Sequence, residues 1–236
     1  MLIINTRIIF LTKFHYTHCI KMTSDNSGTK KFLIAYNSIS ASLWSVIFFN
    51  AIFLGLAVGQ PYFFDKTNKI TTIIQCFAVI EIYNSLIGNV KTPVFTTVVQ
   101  VLSRLLIVLG VCQVLPSSPA NYHWSYITLN LSWSLTEIVR YSYYTSNLQD
   151  SSKTPKALTW ARYTLFYVLY PTGVTSEITM IYLSLHEAEL QYGQLYSWFL
   201  KAILVIYIPG FYVMYTHMIR QRKKTLGKVF DSKKTD

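Results

Sequence analysis

Tyr170 and Glu177 stand seven residues apart in the otherwise apolar run ARYTLFYVLYPTGVTSEITMIYLSL. On a helix seven residues is nearly two turns, so both side chains take one face, about 10 Å apart along the axis. Pro171 removes a backbone hydrogen bond and is expected to kink the helix there, while Gly173 admits a close neighbour or a ligand. A kink, a close-approach glycine and a carboxylate together describe the wall of a pocket. The chemistry they suit is proton transfer, with the carboxylate as base, or as acid when protonated, and the phenol as donor.

Other ionisable residues interrupt apolar segments as well: Glu81, Arg104, Glu137 and Arg140, with Lys201 near a helix end. Helical spacing sets each among polar neighbours. Glu81 shares a face with Asn84, Ser85 and Gly88, and Arg104 with Thr97 and Gln100. Glu137 aligns with Asn130, Ser134, Tyr141 and Tyr144. Tyr163, Tyr167, Tyr170 and Glu177 fall at i, i+4, i+7 and i+14, which makes Tyr163 and Tyr167 candidates for lining a substrate site. Charged groups inside an apolar bundle are functional candidates by default. The plainer reading of Glu81, Arg104, Glu137 and Arg140 is a polar core of carboxylate–guanidinium pairs that ties helices together.

Absent motifs narrow the chemistry further. The histidines His15, His18, His123, His186 and His217 lack the HxxxH and HxxHH spacings of di-iron desaturases and the HxxHH box of elongase-type condensing enzymes. A cysteine phosphatase needs Cys-x5-Arg, but the sixth residues after Cys19, Cys76 and Cys112 are Asp25, Ile82 and Ser118. The same cysteines form no CxxC pair, so neither a disulfide framework nor a metal site is expected. No P-loop or GxGxxG occurs, and no cofactor is expected. Acid–base chemistry without a metal remains.

These residues require apolar helices to position them. Hydrophobic residues make up 52% of the 236 and charged residues 13%, about half the usual share in soluble domains. The apolar residues cluster into long runs, which predicts an all-α, polytopic membrane bundle. Six spans of about 20 residues are expected, at 33–58, 70–88, 94–115, 123–144, 160–184 and 196–219. Gly59-Gln60-Pro61, Lys91-Thr92-Pro93, Pro116 to Pro119 and Asn147 to Pro155 are read as connections. Outside the spans, fifteen Lys and Arg fall on one side and two, Lys66 and Lys69, on the other, so both termini are expected in the cytosol. The net charge of +11 collects at termini and short loops, the pattern of membrane anchoring, and nucleic acid is not an expected partner. Three parts are read: an N-terminal cytosolic extension (1–31), the six-helix domain (32–219) and a basic cytosolic tail (220–236). Within the extension, residues 1–21 make neither a good span nor a signal peptide. The tail ends Lys233-Lys234-Thr235-Asp236, which resembles the dilysine retrieval signal of endoplasmic reticulum membrane proteins.

Four segments, FLIAYNSISASLW, TPVFTTVVQVLSRLLIVLG, SWSLTEIVRYSYY and ARYTLFYVLYPTGVTSE, appear in this order from Phe32. In them the chain resembles the very-long-chain (3R)-3-hydroxyacyl-CoA dehydratases, a family once called protein-tyrosine-phosphatase-like. The resemblance runs from about Phe32 to Arg220. It implies six spans in the endoplasmic reticulum membrane and the third step of the fatty-acid elongation cycle, dehydration of a 3-hydroxyacyl-CoA to the trans-2-enoyl-CoA. The family's catalytic Tyr and Glu fall on Tyr170 and Glu177. The partners it implies are the acyl-CoA substrate, membrane lipid, the elongase condensing enzyme and the ketoacyl- and enoyl-CoA reductases.

Those residues suit the reaction. Dehydration removes a proton from C2 and expels hydroxide from C3, so the site must supply a base, an acid and a carbonyl polariser. Glu177 as base and Tyr170 as donor is the favoured assignment, and the sequence leaves the reverse open. Lys153, Lys156 and Arg162, at the cytosolic mouth of the fifth span, are candidates for the CoA phosphates; they also fit ordinary membrane anchoring. The competing reading is a catalytically inactive membrane scaffold or a small transporter with a polar core. A transporter predicts inverted repeats, and none is visible. An inactive scaffold would have lost Tyr170 or Glu177, and both are present.

Overall fold

The computed structural model describes residues 27–90 and 92–231. Most of the expected N-terminal extension, Lys91 and the dilysine-like end lie outside the described residues. Among those described, the secondary structure is entirely helical. Helix α1 (Ser27–Asn50) continues through a wider π-type segment, Ala51–Leu56. Helices α2 (Tyr62–Cys76) and α3 (Val79–Leu86) follow. Helix α4 (Val94–Leu105) also runs on into a π-type segment, Leu106–Gln113. Helix α5 (Trp124–Gln149) leads through a short turn to α6 (Lys156–Thr164), α7 (Phe166–Leu183) and α8 (Leu185–Tyr192). The chain ends its described part in α9 (Gln194–Asp231).

Three of these helices are long and apolar enough to cross a membrane: Ser27–Leu56, Val94–Gln113 and Gln194–Gly227. They coincide with the first, third and sixth expected spans. The other three expected spans differ from single apolar rods. The second is interrupted at Phe77–Ala78, where Ala78 N–H bonds Gln75 O at 3.0 Å, a tight three-residue step. The fifth breaks at Leu165 and not at Pro171, through which α7 runs unbroken. Proline crowds the turn that precedes it, so the disturbance falls N-terminal to the ring. The fourth, α5, continues to Gln149, past its expected end at 144. The basic stretch after 219, expected as a solvated run, is helical to Asp231. Lys and Arg are good helix formers, and their charge is favourable at a helix C-terminus. Lys66 and Lys69 likewise lie within α2, not in a connection before it.

Helix α5 is the axis of the fold because its polar residues are buried. Tyr126, Ile127, Leu129, Asn130, Trp133, Ser134, Glu137 and Tyr141 are all buried, and α1 and α7 pack against it. Its start is fixed by His123, whose Nδ1 accepts from Ser125 N–H at 3.1 Å, an N-cap interaction. The π-type segments serve close packing. A Cβ on Gly55 would lie 2.9 Å from Ile127 Cγ2, so only glycine lets α1 approach α5 there. At Gly110 the backbone carbonyl accepts the Tyr196 hydroxyl at 2.8 Å, which joins α4 to α9.

Candidate active site

Glu177 lies on the buried face of α7, between α5 and α9. Its Oε1 accepts from Trp133 Nε1 of α5 at 3.0 Å, and its Oε2 accepts from the Tyr207 hydroxyl of α9 at 2.6 Å. The residue is 7% exposed, and no Lys or Arg forms an ion pair with it among the described residues. The approach of α5 is close at this level: a Cβ on Gly173 would meet Ser132 Cβ at 3.7 Å and Trp133 Cδ1 at 3.9 Å. Gly173 therefore faces another helix at ordinary packing distance.

Tyr170, on the same helix, is partly buried, and its ring stacks on two rings of α9. The Tyr170–Phe211 centroids are 5.3 Å apart at 14°, and the Tyr170–Tyr215 centroids 6.3 Å apart at 16°. Tyr207, Phe211 and Tyr215 follow one another at four-residue steps, so one stripe of α9 meets both Glu177 and Tyr170. Among the described residues no hydrogen bond links Tyr170 to Glu177, and the Tyr170 hydroxyl makes none at all.

A second constellation adjoins the first. Arg140 makes a two-pronged bond to Glu81, Nη1 to Oε2 at 2.7 Å and Nη2 to Oε1 at 2.5 Å. Its Nε reaches Glu137 Oε2 at 2.7 Å. Glu137 also accepts from Arg104, and Glu81 from the Tyr141 hydroxyl. Two guanidinium groups and two carboxylates thus balance inside the bundle, with paired geometry that offsets their desolvation. Trp133 connects the two constellations, because the Arg104 guanidinium lies 5.5 Å from its ring centroid while its N–H serves Glu177.

The remaining candidates are spread over the end of the bundle where α5 finishes and α6 begins. Lys153 is exposed and pairs with Asp150 at 3.4 Å, and Lys156 is exposed. Arg162 donates to the Tyr144 hydroxyl at 3.4 Å and lies 5.8 Å from the Tyr163 centroid. Tyr163 meets Tyr143 edge-on, and Tyr167 lies under Arg222 at 5.4 Å. None of them touches Glu177. Sequence reasoning missed Trp133 and Tyr207, which do. The Tyr207, Phe211, Tyr215 stripe was the available signal, but aromatic stripes are common on apolar helices. A surface concavity lined by Gln60, Pro61, Asp65 and Tyr122 contains none of these residues.

The arrangement offers one buried carboxylate held by neutral donors and, two turns away on the same helix, one phenol whose hydroxyl has no partner among the described residues. Comparison with known proteins bears on what such a pair would act on. The chain is 37% identical over 204 residues to a probable very-long-chain (3R)-3-hydroxyacyl-CoA dehydratase of Schizosaccharomyces pombe, covering 82% of this chain and 92% of that protein. It is 36% identical over 214 residues to the very-long-chain (3R)-3-hydroxyacyl-CoA dehydratase hpo-8 of Caenorhabditis elegans, covering 85% and 96%. To very-long-chain (3R)-3-hydroxyacyl-CoA dehydratase 2 of Homo sapiens it is 34% identical over 216 residues, covering 86% and 84%. No solved structure matches it. Residues 75–228 match the family described as protein tyrosine phosphatase-like protein, PTPLA, and with relatives this similar over most of its length the chain belongs to that family.

Proposed function

We propose that this protein dehydrates very-long-chain (3R)-3-hydroxyacyl-CoA to trans-2-enoyl-CoA, the third step of fatty-acid elongation, with Glu177 and Tyr170 as its catalytic pair. The observation that carries the site is the difference among three interior carboxylates. Glu81 and Glu137 are neutralised by Arg140 and Arg104, whereas among the described residues Glu177 meets only the neutral donors of Trp133 and Tyr207. A carboxylate locked between guanidinium groups has no free part in proton transfer; Glu177 keeps acceptor capacity for a substrate proton. The names of the relatives supply the substrate.

The membrane setting follows from that substrate. Helices α1, α4 and α9 are apolar enough to span, and α9 exposes Leu195, Val205, Ile208 and Tyr212 along its length. With the runs α2–α3, α5 and α6–α8 crossing as well, six spans would place both termini on the cytosolic face. The acyl chain would stay in the bundle or bilayer while the CoA phosphates remain in the cytosol near Lys153, Lys156 and Arg162, and Tyr163 and Tyr167 would line the way in. The extension 1–31 and tail 220–236 would flank the catalytic domain 32–219. The endoplasmic reticulum is the proposed membrane, held by Lys233 and Lys234, and the condensing enzyme and the two reductases of the cycle are the proposed partners. Purified protein supplied with 3-hydroxyacyl-CoA thioesters of graded chain length should form enoyl-CoA. Transport or scaffolding without turnover would give none.

A further inference from the structure

Two helices reach across to the same carboxylate, each with a single donor. Trp133 of α5 donates to Glu177 Oε1 at 3.0 Å, and Tyr207 of α9 donates to Oε2 at 2.6 Å. An indole N–H only donates, so Oε1 must be an acceptor. An ionised carboxylate offers about four acceptor sites. These two bonds occupy one on each oxygen and leave one on each for a substrate. Trp133 is itself held beside the Arg104 guanidinium, and Tyr207 stands one turn from Phe211, whose ring stacks on Tyr170. The Tyr170 hydroxyl, by contrast, has no partner among the described residues and is uncommitted.

We propose that Trp133 and Tyr207 are positioning residues that hold Glu177 as an ionised acceptor, which makes Glu177 the base at C2 and Tyr170 the acid at C3. The inference rests on the dehydratase reading above. In the step, the C2 proton moves to a free site on Glu177 and the C–H electron pair enters the enolate of the thioester. That pair then forms the C2–C3 double bond while the C3–O bond breaks, and the leaving oxygen takes the Tyr170 proton and departs as water. Glu177 then gives its proton to solvent and the Tyr170 phenolate takes one from solvent, so the enzyme ends unchanged. Tyr207 and Trp133 neither gain nor lose a proton.

The test uses the full-length protein in detergent with 3-hydroxyacyl-CoA carrying protium or deuterium at C2. Tyr207→Phe and Trp133→Phe should each lower kcat about 10-fold to 100-fold, the range for losing a hydrogen bond to a charged group. KM should be nearly unchanged, because neither residue touches substrate. The deuterium isotope effect on kcat should rise in both, since proton removal alone becomes slower. Tyr170→Phe should not raise it, because that change slows C3–O cleavage. A merely structural role for Tyr207 and Trp133 would reduce the folded fraction and scale kcat without moving the isotope ratio. That result in an active protein overturns the proposal and leaves the dehydratase reading standing. Should Tyr207→Phe fail to fold, Trp133→Phe carries the same prediction. Absence of any dehydration by the unsubstituted protein would instead remove the reading on which the proposal rests.

Discussion

Glu81, Glu137 and Glu177 lie inside one helical bundle, yet each meets a different set of donors, and that difference governs what substitution does to each. Glu177→Gln keeps the size of the side chain and an acceptor for Trp133, but removes the capacity to take a proton. Tyr170→Phe removes only a hydroxyl, and the ring can still stack on Phe211. Each should lower dehydration by roughly 10²-fold or more, as acid–base groups contribute about 10²–10⁴. The double variant should be far less than multiplicatively worse, since the two residues act on successive steps of one reaction and the slower step alone limits turnover. Rates measured on folded, detergent-purified protein would decide it, and near-normal turnover by Glu177→Gln would remove Glu177 from the mechanism. The spacing of Tyr170 and Glu177 was legible from the sequence because both stand on one helix, where periodicity fixes relative direction. Tyr207 was not. It lies 30 residues away on another helix, and no local pattern says which side chains two separate helices turn toward each other. Trp133 was hidden for the same reason, inside a segment whose polar residues pointed to Glu137 and Arg140 instead.

At the scale of elements, α5 joins the bundle through buried polar residues such as Asn130, Ser134 and Glu137 as well as through the apolar core, to which it contributes Ile127 and Leu129. Glu137 is 1% exposed and receives both Arg104 and Arg140, so Glu137→Ala would strand two guanidinium groups beside one remaining carboxylate, Glu81. Breaking a buried pair in this way costs about 3–5 kcal/mol. The variant should show a clearly lower melting temperature in detergent and lower abundance in membranes, whereas Glu177→Gln should show neither. Equal melting of the two would mean that the arginine–glutamate cluster is not what holds the helices. Backbone fit gives a separate element-scale prediction. Gly55→Ala would drive a methyl to 2.9 Å from Ile127 Cγ2, a fully buried β-branched side chain with little room to move. Overpacking of this kind costs about 1–3 kcal/mol. The same melting assay should register it, and an unchanged melting temperature would show that α1 and α5 can separate freely. Helix existence could be read from the runs of apolar residues, but the interruptions at Phe77–Ala78 and Leu165 could not. Neither site carries a proline or glycine of its own, so both are set by how the helices pack.

For the whole molecule, the distribution of charge and the number of helical runs make one claim about topology. Helices α1 to α9 group into six runs, and an even number returns the end of α9 to the side on which α1 begins, provided that each run crosses once. The basic residues favour the cytosol for that side. The first connection, Gly59 to Pro61, would then face the lumen. The sole N-x-S/T sequon, at Asn130, would lie within the bilayer. In the fold Asn130 is fully buried, its Nδ2 bonded to Tyr126 O at 2.7 Å and its Oδ1 accepting from Thr71 at 3.2 Å. No glycosyltransferase could reach it without unfolding α5. An acceptor sequon placed on a flexible insertion after Gly59 should therefore be glycosylated in microsomes, while Asn130 stays unmodified. Tags at the two termini should both be cut by protease added from the cytosolic face. An endoglycosidase-sensitive shift at Asn130 would mean that α5 is placed on the wrong side of the membrane boundary. Protection of one terminus with cleavage of the other would require an odd number of crossings, and the runs interrupted at Phe77–Ala78 and Leu165 would be the first to re-examine, because their broken rods are the least able to span alone.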